Sequence, residues 1–123
     1  MRRPLPTLPP CPPKRPLGAR PLLPRDRAAG LAGLFKALAS GTRLRLLHAL
    51  ARAGEIRPTD LAREVGMRPQ AVSNQLQRLV DRGFLGARRD GNSTLYRIED
   101  PCVTDLLDRG LCLLEDARGR RRR

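Results

Sequence analysis

Apolar residues first fall into a helical rhythm at Leu31, Leu34, Phe35 and Leu38, spaced i, i+3, i+4 and i+7 as on the buried stripe of an amphipathic helix. Ser40-Gly41 ends that helix. A second is predicted from about Thr42, whose hydroxyl can cap it, with Leu44, Leu47 and Ala51 on one face, Leu46 and Leu50 beside them, and Gly54 closing it. Two shorter helices follow at 58–65 and 69–82, separated by Gly66-Met67-Arg68, with Leu61, Ala62 and Val65 facing Val72, Leu76 and Leu79. A first helix of about two turns, a glycine-containing turn and a longer second helix make a helix-turn-helix. Beyond Gly83, extended segments at 84–89 and 93–98 flank Asp90-Gly91-Asn92, and Asp-Gly is a strong hairpin signal. A last helix begins at Pro101 and carries Val103, Leu106, Leu107, Leu111 and Leu114. The fold class is therefore mainly α with one small β-hairpin.

At 123 residues the chain has room for one core, and with 2% aromatic residues and no Trp that core must be built from Leu, Ala, Val and Ile. The formal net charge of +13 suggests nucleic acid, but its distribution says more than its sum. Residues 1–27 hold seven Lys/Arg against Asp26, and residues 117–123 hold five Arg and no acid, which leaves only +2 for residues 28–116. Within that core, 57–97 is about +4 and 98–116 about −5, a basic middle beside an acidic last helix. Nine of the twelve prolines lie in 1–27, so this segment is expected to be a disordered Pro/Arg-rich arm, 28–116 the folded domain and 117–123 a basic tail. The arm either stays solvated or lays cations along DNA phosphates.

Prolines interrupt every apolar stretch of the basic N-terminus, which argues against a targeting helix, and no apolar run reaches the ~18 residues a membrane span needs. Three cysteines, Cys11, Cys102 and Cys112, follow no disulfide-scaffold spacing, so a cytoplasmic protein is expected. An enzyme fits poorly: there is one histidine, His48, with no nearby second His or Cys in sequence, and no Gly-rich phosphate loop.

If Val72, Leu76 and Leu79 point inward, the 3.6-residue period turns Gln70, Ser73, Asn74 and Gln77 outward. Gln and Asn can bond adenine bidentately in the major groove and Ser can bond a base or a phosphate, so this face suits base reading; an ordinary polar helix face is the alternative. Both motif helices start with Arg-Pro, at Arg57-Pro58 and Arg68-Pro69, where the helix dipole disfavours a cation unless an anion arrives. Arg57 and Arg68 are thus expected to clamp phosphates, with Arg88 and Arg89 doing so from the hairpin; general arginine usage is the competing explanation.

Three strings, KALASGTRLRLLHAL at 36–50, DLAREVGMRPQAVSNQLQRLVDRGFL at 60–85 and GNSTLYRI at 91–98, resemble the ArsR/SmtB family of winged helix-turn-helix repressors, as does the order of elements. The resemblance spans about residues 30–116. It implies a winged-helix domain whose first and last helices pair across a two-fold axis, and hence a homodimer bound to a double-stranded DNA operator. An apolar last helix on so small a domain independently calls for a partner surface.

The family's arsenic sensors carry Cys-Val-Cys at the start of the first motif helix, where this chain has Arg57-Pro58-Thr59. Its zinc sensors use Asp-x-His-x10-His-x2-Glu in the last helix, two residues from each subunit, and here those positions are Asp100, Cys102, Leu113 and Asp116. Leu113 cannot bind metal, and Cys112 is about 100° away around the helix. Cys102 and Cys112 lie ~15 Å apart along one helix, so only a site between subunits, with or without Cys11, would gather thiolates for zinc, cadmium or arsenite. Release of DNA by such an effector or by thiol oxidation is one expectation. The others are cysteines that act as small apolar residues, in a regulator with no sensor, or a non-specific basic protein.

Overall fold

The computed structural model describes residues 15–121. Expectations for residues 1–14, Cys11 included, lie outside them. After a 3-10 turn at Leu17–Ala19, helix α1 runs Arg25–Leu38, starting three residues before the boundary expected at 28. Helix α2 is Gly41–Ala53, and its N-cap is Ser40 rather than Thr42: Ser40 has the extended backbone a cap requires, and its Oγ accepts the Arg43 N–H at 3.3 Å. Thr42 already lies inside the helix. Strand β1, Glu55–Ile56, leads to α3, Pro58–Val65. Gly66, at φ 72° and ψ 37°, takes the left-handed conformation that ends α3 and re-aims the chain into α4, Pro69–Asp81. The hairpin follows as β2, Leu85–Asp90, and β3, Ser93–Ile98. Asp90 pairs with Ser93, so the turn is the two residues Gly91 and Asn92, with Gly91 at φ 65° as such a turn needs. Helix α5, Pro101–Arg121, continues through residues expected to be a separate tail.

The sheet has three strands in the order β1-β3-β2, all antiparallel. Strand β1 was not anticipated. Its pairs, Glu55 with Arg97 and Ile56 with Tyr96, fasten the start of α3 to the hairpin.

Leu46, Leu47, Leu50, Leu61, Val72, Leu76 and Leu79 are fully buried where α2, α3 and α4 meet, and Leu85, Tyr96 and Ile98 close the core from the sheet. No charged side chain is buried among the described residues. The buried face of α2 is Leu46, Leu47, Ala49 and Leu50, whereas Leu44 and Ala51, expected inward, are exposed; packing on α3 and β3 selects the other half of the apolar arc. On α1, Leu38 is buried but Leu31 and Phe35 are 44% and 48% exposed, and on α5 Leu111 and Leu114 are 49% and 53% exposed. Both outer helices thus carry apolar side chains that one copy leaves uncovered.

Candidate nucleic-acid interface

Helix α4 owes its orientation to three anchors, Val72, Leu76 and Leu79, at most 1% exposed. Opposite them Gln70, Asn74 and Gln77 stand in solvent, and Ser73 is half-buried on the flank. Gln70 Nε2 donates to Asn74 Oδ1 at 3.1 Å, so the two amides sit together near the helix's leading end. Gln77 Nε2 donates instead to Asp81 Oδ1 at 3.0 Å, which turns it toward the far end.

Both motif helices begin without a side-chain cap, Arg57 and Arg68 occupying the N-cap positions and Pro58 and Pro69 following them. Their first N–H groups are left to outside partners, the arrangement that suits an oxyanion. Arg68 and Arg89 are exposed and make no ion pair among the described residues. Arg57 NH2 lies 3.1 Å from Asp90 Oδ2 at the hairpin tip.

Arg88 departs from expectation. Its Nε and NH2 each lie 2.8 Å from a Glu55 carboxylate oxygen, a two-point pairing that raises the guanidinium's pKa further above its ordinary value. Side chains alternate along β2, so Arg88 and Arg89 project from opposite faces of the hairpin. Arg88 shares its face with Arg97, which contacts Glu55 at 3.8 Å and Glu99 at 3.0 Å. Arg88 therefore holds the hairpin to β1, whereas Arg89 is exposed on the other face.

Arg43, which no sequence motif singles out, is a positioning residue for α4. Its Nε donates to Gln75 Oε1 and its NH1 to the Ala37 carbonyl, both at 2.9 Å, bracing α4 against the end of α1. The signal available in sequence was Gln75 itself, a polar residue beside the apolar stripe of α4.

On α5, Asp100 Oδ1 accepts the Cys102 N–H at 2.9 Å, so this carboxylate caps the helix. Cys102 is half-buried and its sulfur is in a disulfide; Cys112 is free and exposed, with Sγ 3.9 Å from Asp116 Oδ2 one turn on. No three His, Cys, Asp or Glu side chains among the described residues come together as a metal site. Within one chain, Asp100 meets Cys102 only at its backbone N–H, and Cys112 and Asp116 are the two expected ligands whose side chains touch. No helix among the described residues is long and apolar enough to cross a membrane.

The MarR family model matches residues 40–92, from α2 to the hairpin turn, leaving out α1 and α5. The "Probable mercury resistance operon repressor" of Streptomyces lividans is 41% identical over 85 residues, 69% of this chain and 67% of that protein. The crystal structure of AntR, an antimony-specific transcriptional repressor, matches with a TM-score of 0.75 and 57% identity over 89% of this chain and 98% of that one. The homodimeric winged helix-turn-helix DNA-binding domain Mb0332 of Mycobacterium bovis, named a possible ArsR-family transcriptional regulator, matches with a TM-score of 0.67 and 33% identity over 78% of this chain and 91% of that one.

Proposed function

From a chain that belongs to the ArsR/SmtB family of winged helix-turn-helix transcriptional regulators, we infer a homodimeric, sequence-specific repressor that reads its operator through α4 and releases it when α5 captures a thiophilic metalloid or is oxidised. The observation that carries DNA reading is the outer face of α4, where Gln70 and Asn74 stand in solvent directly opposite a fully buried stripe. Gln70, Asn74, Ser73 and Gln77 are assigned to base edges; Arg57, Arg68 and Arg89 are assigned to phosphates, which fix register without reading sequence. Basic residues of the 1–27 arm and the 117–123 tail add affinity for any duplex. The protein works where its DNA is, in the cytoplasm, and no catalytic step is assigned to it.

Dimerisation is supported by Leu31, Phe35, Leu111 and Leu114, which a second copy would cover by pairing α1 and α5 across a two-fold axis. The contact of Cys112 with Asp116 supports the sensor, and Asp100 and Cys102 are assigned to it as the remaining ligands. In a dimer whose α5 helices run past each other, Asp100 and Cys102 of one protomer meet Cys112 and Asp116 of the other, once Cys102 is reduced. The named antimony specificity of AntR favours a thiophilic metalloid over zinc or cadmium as the effector, and soft thiolates suit it.

The base-reading assignment is tested by Gln70→Ala and Asn74→Ala. Each is expected to cost about 1–3 kcal/mol on the operator and little on random DNA at the same salt. Because the two amides are hydrogen-bonded to each other, the double variant should lose less than the sum of the singles. Fluorescence anisotropy on both duplexes measures this, and equal losses on the two would overturn the assignment.

A further inference from the structure

A chain with a net charge of +13 is drawn to any duplex, since each neutralised phosphate releases counterions whatever the sequence. One carboxylate stands against that attraction at the hairpin tip. Asp90 closes β2, and its Oδ2 reaches across to Arg57 NH2 at 3.1 Å, at the N-cap of α3. A phosphate assigned to Arg57 would compete with Asp90 for the same guanidinium charge, and the uncapped α3 N-terminus favours either anion. Side chains 45% and 42% exposed make this a weak pair, readily exchanged. The hairpin does not depend on it for position, because the β2–β3 ladder runs to Asp90 and Ser93, and Arg88 ties β2 to Glu55 through two 2.8 Å contacts, with Glu55 only 22% exposed.

We propose that Asp90 is an intramolecular phosphate mimic: it occupies Arg57 in the free protein and must be displaced by DNA, which lowers affinity for every duplex. The proposal rests on the assignment of Arg57 to a phosphate. Its consequence is a ceiling on operator affinity, set by a residue that reads no base, low enough for a modest effector energy to release the DNA. Asn suits the turn position as well as Asp, so Asp90→Asn removes the charge and spares the hairpin.

Binding of full-length wild type, Asp90→Asn, Arg57→Ala and the double variant to operator and random duplexes, across a salt series, tests it. Asp90→Asn is expected to bind both duplexes roughly two- to tenfold more tightly at low salt and to steepen the log–log salt slope by up to about 0.9. In the Arg57→Ala background the same change should gain less. Unchanged or weaker binding by folded Asp90→Asn, while Arg57→Ala weakens binding and flattens the slope, overturns the mimic and leaves the phosphate contact standing. If Arg57→Ala alters neither affinity nor slope, the phosphate assignment itself fails, and the mimic with it.

Discussion

Leu76→Ala is expected to destabilise the domain by about 2–5 kcal/mol, the range for a buried leucine whose site collapses only in part. Leu76 is fully buried on the back of the recognition helix, in the core that α4 shares with α2 and α3. Against a total stability of roughly 5–15 kcal/mol, such a loss depletes the folded dimer and loosens the outer face of α4 along with its anchor. Operator affinity should fall with stability although Leu76 touches no DNA. Denaturant unfolding at one fixed protomer concentration measures the first effect, since dimer stability depends on concentration. Gln77→Ala, exposed on the same helix, is the control and should stay within about 0.5 kcal/mol of wild type in stability. A Leu76→Ala protein as stable as wild type would mean that α4 is not seated as described.

Reduced wild-type protein should lose roughly 5–150-fold in operator affinity when antimonite or arsenite is added, the range that 1–3 kcal/mol of coupling between sites produces. Cys102 and Cys112, ten positions apart on α5, are ~15 Å from each other along one helix and cannot share an ion within a chain. An ion held between protomers would instead fix the relation of the two α5 helices. The spacing of the two α4 helices, which must match half-sites about one turn apart, would shift with it. A Cys102→Ser, Cys112→Ser double variant should bind DNA normally and ignore the metalloid. Zinc and cadmium belong in the same anisotropy titration, as does a thiol oxidant. A wild type indifferent to all of them, or a double variant that responds like wild type, would make the cysteines packing residues and leave a repressor without this sensor.

Much of this architecture is legible in the sequence because its boundaries are punctuated. Gly54, Gly66 and the two Arg-Pro pairs mark the ends of α2, α3 and α4, and Asp90-Gly91 marks the hairpin. What escaped depends on tertiary partners. Strand β1 is two residues long and has no period to detect, yet it brings Glu55 to Arg88. Adjacent residues on a strand point to opposite faces, so Arg88 and Arg89 could not both share one role; which of them met solvent was decided by Glu55. Leu44 and Leu46 are equally apolar, and only the contact of α2 with α3 and β3 exposes one and buries the other. Ser40 and Thr42 are both competent caps until the backbone at Ser40 is seen to be extended. On α1 and α5 the helices stand where the periodicity puts them, but Leu31, Phe35, Leu111 and Leu114, expected on buried stripes, are exposed in a single copy.

Whether the dimer recognises one sequence is decided by titrating reduced full-length protein onto DNA flanking its own gene against excess random duplex at about 0.15 M salt, read by footprinting. Two protected half-sites about one helical turn apart, two chains per site, and affinity roughly 10³–10⁷ above that for random DNA are expected. Uniform protection, or equal competition by random duplex, would rule out sequence recognition and leave a cationic protein that binds DNA without reading it.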